Sequence, residues 1–128
     1  MWKKTLPLLI LPLLAGCAAQ ITNLTPRQQV RNPNNLYPVE VAFNSQQQAL
    51  RWDTIKPKIV VAGQAYDMKP TMLMTNRWEG LVPVPPDSSL VHYHYRFDFE
   101  TMGFGQLVPD NAVSGEYSLK IVEPPPGQ

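Results

Sequence analysis

The sequence is poor in the residues and motifs that most often build catalytic sites. It has seven glycines and no glycine-rich phosphate loop, and none of its serines lies in a Gly-x-Ser-x-Gly turn. Both of its histidines, His92 and His94, are predicted on the open face of one strand, whereas a serine nucleophile needs a general base beside it. These absences indicate a protein that is not an enzyme, and no cofactor is expected.

Helix-forming stretches and a basic surface are also lacking. Proline occurs 14 times in 128 residues, and only residues 45–53 are suited to a short helical turn. The apolar residues recur instead with a period of two, which is typical of strands. Because 11 Lys and Arg stand against 10 Asp and Glu, the chain has no strong positive charge and no nucleic-acid partner is expected.

The chain has a single cysteine, Cys17, which has no partner for an intrachain disulfide. It follows two lysines, an apolar run over residues 5–14, and the small residues Ala15 and Gly16. This order is typical of a secretory signal, and the apolar run is too short for a membrane-spanning helix. The residues Leu14-Ala15-Gly16-Cys17 resemble the lipobox of bacterial lipoproteins.

That resemblance implies cleavage before Cys17, attachment of a diacylglyceryl group to its thiol, and a membrane anchor. Acyl chains contribute about 0.8 kcal/mol per buried methylene, so two or three of them anchor a protein stably. Ala18 in the position after the cysteine resembles the class of lipoproteins sent to the outer membrane. The expected location is therefore the cell envelope, at the outer membrane. Loss of residues 1–16 would leave nine basic and ten acidic residues.

The clearest strand prediction is residues 90–100, where apolar and polar side chains alternate. Val91, Tyr93, Tyr95, Phe97 and Phe99 share one face, and the side chains between them form a polar face. Residues 37–43, 58–62, 65–74, 78–84 and 115–122 are further predicted strands, with a hairpin across Gly63 and a loop over residues 101–111.

The last predicted strand has the pattern Gly-x-Tyr-x-Leu-x-Ile, which resembles the closing strands of bacterial immunoglobulin-like and fibronectin-like domains. Short strands and proline-rich connections predict an all-β protein, a single immunoglobulin-like antiparallel β-sandwich of about seven strands. The domain organisation is a signal peptide (1–16), a lipidated tether or edge strand (17–34), the sandwich (35–123) and a proline-rich tail (124–128).

Three sets of side chains are candidate sites beyond the lipid attachment at Cys17. His92 and His94 point to one side of a strand, so they are candidate metal ligands, or part of a solvated polar face. Trp52 and Trp78 are candidate stacking residues for a glycan, or members of the core. Met102 and Phe104 are apolar residues in the predicted loop over residues 101–111, so they are candidate contacts with a protein partner.

The function expected from these features is that of a membrane-anchored, non-catalytic structural or protein-interaction module. Its partners would be the membrane, through the N-terminal lipid, and a protein of the envelope. Glycan binding through Trp52 and Trp78 is an alternative, and metal binding through His92 and His94 is a further one. Methionines such as Met72 and Met74 are candidate thioether ligands of cuprous ion, or residues that fill the core.

Overall fold

The computed structural model describes residues 19–126, and this part of the chain is all β. The strands are β1 (Gln20–Asn23), β2 (Gln28–Val30), β3 (Leu36–Asn44), β4 (Leu50–Val61), β5 (Gln64–Asp67), β6 (Lys69–Pro70), β7 (Arg77–Pro83), β8 (Leu90–Gly103), β9 (Gln106–Val113) and β10 (Tyr117–Val122). Residues 19–126 contain no helix, and therefore none long and apolar enough to cross a bilayer.

The strands form two sheets that pack face to face, which confirms the predicted β-sandwich. The four-stranded sheet has the order β1-β3-β7-β6. The six-stranded sheet has the order β2-β10-β8-β4-β5, and β9 pairs with the second half of β8. Residues 19–126 contain ten strands, more than the seven or so predicted. The additional strands include β1, β2 and β6, which have only two to four residues each. One pair, β2 with β10, is parallel.

The core is built around the aromatic face of β8, as its alternation predicts. Tyr93, Tyr95, Phe97 and Phe99 are buried, and Phe97 stacks on Phe43 of β3 with ring centroids 4.5 Å apart. The side chains between them are exposed or half-buried. Burying a large apolar side chain contributes about 1.5–3 kcal/mol, so this strand joins the two sheets strongly.

Two hairpins have two-residue turns in the left-handed conformation. The turn between β4 and β5 is Ala62-Gly63, with φ of 51° and 80°, which confirms the predicted hairpin. The turn between β8 and β9 is Phe104-Gly105, with φ of 50° and 78°. Turns of this kind match the twist of the flanking strands. Residues 101–111 are therefore a hairpin, and their prediction as a loop is wrong.

The predicted helical turn over residues 45–53 is not formed. Leu50 begins β4 and pairs with Thr101 of β8, and the backbone N–H of Met102 donates to the carbonyl of Ala49 at 2.8 Å. This pairing with β8 satisfies backbone groups that a helix would otherwise satisfy internally.

The predicted strand over residues 65–74 is divided between the two sheets. β5 belongs to the six-stranded sheet and β6 to the four-stranded sheet. After Pro70 the chain forms a turn, in which the N–H of Met74 donates to the carbonyl of Thr71 and Leu73 has a φ of 67°. Met72 and Met74 therefore lie in a turn rather than on a strand.

The segment predicted as a tether or edge strand, residues 17–34, contributes edge strands to both sheets. β1 pairs with β3 at one edge of the four-stranded sheet, and β2 then pairs with β10 in the six-stranded sheet. Residues 24–27 cross from one sheet to the other. Strands β1 and β2 therefore belong to the two sheets of the sandwich.

Polar groups in the interior link this N-terminal segment to β8. Asn23 Nδ2 donates to the Tyr93 hydroxyl at 3.0 Å, and the Tyr95 hydroxyl donates to Asn23 Oδ1 at 2.6 Å. Thr25 Oγ1 lies 3.2 Å from the Tyr95 hydroxyl and donates to the carbonyl of Glu40. Burial raises the pKa of the Tyr95 phenol above its usual value. A side chain of β1 thus joins both sheets.

Candidate binding surfaces

Cys17, the predicted lipid attachment site, lies outside the described residues, which begin at Ala19. Ala19 packs against the core, and Gln20 pairs with Asn44 at the last position of β3. The described chain thus starts at the end of the sandwich where β1 begins, two residues after Cys17 in the sequence.

We call this end of the sandwich the N-terminal end, and three further chain segments meet there. Residues 44–49 connect β3 to β4, and residues 71–76 connect β6 to β7. The N–H of Phe43 donates to the carbonyl of Asn76 at 3.0 Å, and Asn76 Nδ2 donates to Asn44 Oδ1 at 3.1 Å. The tip of the β8–β9 hairpin is the third segment, since Leu50 pairs with Thr101.

The N-terminal end exposes large apolar side chains at two turns, one from each sheet. Leu73 is 96% exposed and Met72 83% exposed in the turn before β7. Phe104 is fully exposed at the tip of the β8–β9 hairpin. Met102, the other residue predicted as a partner contact, is half-buried beside it. Leu73 and Phe104 are thus both solvent-facing and apolar.

The backbone at these two residues is unfavourable for their side chains. Leu73 has a φ of 67° and Phe104 a φ of 50°, a region that glycine and asparagine occupy far more readily. Strained backbone of this kind is often retained at functional sites. Neither packing nor turn preference accounts for leucine and phenylalanine here, because both side chains are exposed.

The N-terminal end also has no charged side chains in the segments that form it. Residues 17–26, 44–50, 71–76 and 101–107 contain no Asp, Glu, Lys or Arg. The opposite end differs, because Asp87 lies in its β7–β8 loop and Arg31 forms an ion pair with Glu123 there. The two ends of the sandwich therefore differ in charge as well as in the apolar side chains that they expose.

A groove runs between the two sheets where the edge strands β1 and β9 face each other. Its volume is about 440 Å³, and its apolar lining includes Ile21, Phe99, Ala112 and Tyr117. β1 pairs only with β3, and β9 only with β8, within the described residues. Both strands consequently have one edge without a neighbouring strand, and unpaired edges can accept a further strand.

A second groove, of about 490 Å³, lies on the outer face of the four-stranded sheet. Leu24 and Pro26 of the crossing segment form one wall, and Leu81 of β7 lies on the other side. Glu40, Glu79 and Lys69 also line it, so its lining mixes apolar groups with charges of both signs.

The two candidate metal ligands lie on the outer face of the six-stranded sheet. His92 is exposed, and its Nδ1 lies 2.9 Å from the hydroxyl of Ser118 on β10, while His94 is half-buried two positions later. Residues 19–126 contain no group of three or more His, Cys, Asp or Glu side chains arranged to hold a metal ion. The histidines are therefore placed as members of a polar sheet face.

The two tryptophans do not form a shared stacking platform. Trp78 is 7% exposed and packs edge-on against Phe97, with ring centroids 5.5 Å apart. Trp52 is 42% exposed and packs edge-on against Phe43. Of these two candidates, Trp52 is the one accessible to a sugar ring, because Trp78 is buried.

Sequence reasoning missed Leu73 and the hydrogen bonds of Asn23. The signal for Leu73 is the run Thr-Met-Leu-Met-Thr-Asn, which is apolar in its middle yet lies between proline and a new strand. Asn23 carries no signal in the sequence, because its tyrosine partners lie about 70 residues away.

Neither a model of a known protein family nor a curated protein matches the sequence.

Proposed function

We propose that this protein is a non-catalytic bacterial envelope lipoprotein, in which lipid on Cys17 holds a β-sandwich at the outer membrane. The run Leu14-Ala15-Gly16-Cys17 carries the proposal, because it resembles a lipobox behind a basic and an apolar segment. The position of Ala19 supports it, since the described fold begins only two residues after the cysteine.

The anchor is tested by mass spectrometry of the mature protein and by fractionation of cells. We expect an N-terminal peptide that starts at Cys17 and carries acyl chains, and a protein found with the membranes. Cys17→Ser should abolish both results. The matched control is Cys17→Ser combined with Ser89→Cys, which restores one exposed thiol elsewhere in the chain. An unmodified Cys17, or equal membrane recovery of the Cys17→Ser form, would refute the anchor.

The sandwich serves in this proposal as a binding module for a protein partner at the groove between β1 and β9. The groove is lined by apolar side chains together with polar ones such as Gln47 and Asp110, and it has a free strand edge on either side, which suits an added strand from another protein. Backbone hydrogen bonds to a free edge would supply affinity, and Ile21 and Tyr117 in the groove would select side chains of the partner.

Photo-crosslinking in living cells tests this binding site. A crosslinking amino acid at Asn111 or Val113, both exposed and lining the groove, should capture the same envelope protein. Ala65 is the control, because it is exposed on β5 at the opposite edge of the six-stranded sheet. Capture of that protein from Ala65 with equal yield would contradict the assignment of the groove.

A further inference from the structure

We propose that the N-terminal end of the sandwich docks on the lipid bilayer, with Leu73 and Phe104 inserted among the lipids beside the anchor. This inference rests on the proposed lipidation of Cys17 and adds a direct contact of the folded domain with the membrane. The occupant of the apolar turns is thus the leaflet that holds the lipid.

The short distance between Cys17 and the fold is the first argument. A lipidated Cys17 lies at the level of the bilayer surface, and at most about 7 Å of chain separates its Cα from that of Ala19. Ala19 packs against the core and Gln20 is paired with Asn44, so this short connection holds the folded domain itself, and not a long linker. The N-terminal end must therefore be the part of the sandwich that is nearest to the lipid.

The arrangement of the apolar turns is the second argument. In the four-stranded sheet, β3 and β7 separate β1 from β6, so the start of β1 and the 71–76 turn are about 10–14 Å apart at 4.8 Å per strand. Phe104 projects from the other sheet, about three residues beyond the pair formed by Leu50 and Thr101. The anchor, Leu73 and Phe104 thus give three separate points of contact at one end of the molecule.

The absence of charge is the third argument. A charged side chain resists transfer into a bilayer, whereas leucine and phenylalanine favour it. The four segments that form the N-terminal end contain no charged residue, and their most exposed side chains are Leu73 and Phe104. A protein partner would tolerate charge at the rim of its interface, but a lipid surface penetrated by the turns does not.

The test measures the depth of labels on the lipidated full-length protein in vesicles of phosphatidylethanolamine and phosphatidylglycerol. Acylation blocks the only native thiol, so Leu73→Cys, Phe104→Cys or Ser89→Cys each supplies one thiol for an environment-sensitive fluorophore. We expect lipids that carry a quencher in their acyl chains to quench the labels at 73 and 104. The label at 89, in the loop at the opposite end, should remain unquenched.

A second set of variants separates lipid contact from folding. Leu73→Asn with Phe104→Asn removes both apolar side chains and suits the left-handed backbone, so the fold should be retained. In this background a label at Met72→Cys should lose the quenching that it shows in the parent protein. Leu90→Asn is the matched control, because Leu90 is an exposed leucine at the opposite end and its replacement should leave that quenching unchanged.

The mass of the acylated peptide is measured in the same samples, so that the two proposals are judged separately. Acylated protein with unquenched labels at 73 and 104 overturns the docking alone. Absence of acyl chains on Cys17 overturns the anchor and the docking together. Labels that are shielded in native membranes but not in protein-free vesicles would identify a protein as the occupant, and would also overturn the docking on lipid.

Discussion

Replacement of Asn23 by alanine is expected to lower the free energy of unfolding by about 2–3 kcal/mol. The side chain of Asn23 makes one hydrogen bond to Tyr93 and one to Tyr95, and each is worth about 1 kcal/mol. Both tyrosines are almost fully buried, so the loss of a partner also leaves a polar group without compensation.

The two tyrosines are not equally affected by this change. The Tyr95 hydroxyl retains Thr25 Oγ1 at 3.2 Å and the carbonyl of Glu40 at 3.4 Å. The Tyr93 hydroxyl has no hydrogen bond other than that with Asn23 among residues 19–126. Most of the cost beyond the two lost bonds therefore comes from Tyr93, and it accounts for the upper part of the expected range.

Urea unfolding of residues 17–128 with Cys17→Ser, followed by tryptophan fluorescence, measures this change. The matched control is Asn111→Ala, an exposed asparagine on β9, which should alter the free energy by less than about 0.5 kcal/mol. In a double-mutant cycle, Asn23→Ala and Tyr95→Phe should be coupled by about 1 kcal/mol, because they share one hydrogen bond. A cost below 0.5 kcal/mol for Asn23→Ala, or additive effects, would refute the linking role of Asn23.

Three further predictions concern other parts of the sandwich. Gly80→Ala should cost about 1–3 kcal/mol, because the added Cβ would lie 2.7 Å from Ile59 Cδ1. Calorimetry should show a lowered Tm that Ile59→Val partly restores, while Gly115→Ala, in open space, should have little effect. The folded state raises the pKa of Tyr95, so above pH ~10 the unfolded chain releases this proton first and stability should fall by up to about 1.4 kcal/mol per pH unit. When the free energy of unfolding is measured from pH ~9 to 11, Tyr95→Phe should remove the part of its decrease that is due to Tyr95. An unchanged slope of the free energy against pH would contradict this role of Tyr95. Gly105→Ala should destabilise the β8–β9 hairpin by about 1–2 kcal/mol in urea unfolding, because its φ is 78°.

The long strands could be predicted from the sequence, because their side chains alternate between core and solvent. In β8 the alternation predicts the buried aromatic residues correctly, because one face of that strand packs into the core and the other does not. The same rule fails for β1 and β2, which have four and three residues and pair largely through backbone groups. Too few side chains are present in either strand to establish a period of two.

The two hairpin turns show why one was predicted and the other missed. Gly63 follows a small residue between two predicted strands, which is a recognisable turn signal. Phe104 precedes Gly105 in the other turn, and a bulky side chain in the left-handed region is not a turn signal. The hairpin was missed for this reason, although Phe104 itself was predicted as an apolar contact residue, whereas Leu73 at the other turn was not singled out.

The parallel pairing of β2 with β10 affects the order in which the sandwich can be completed. Gln28 pairs with Lys120, so β2 cannot take its place until about 90 further residues have been made and, if the protein is exported, have crossed the membrane. β1 can pair early with β3, but its hydrogen bonds through Asn23 also wait for Tyr93 and Tyr95. Strand β2 and the contacts of Asn23 are consequently among the last parts of the sandwich to become fixed. If Cys17 is lipidated as proposed, this order would leave the N-terminal segment accessible while the cysteine is modified.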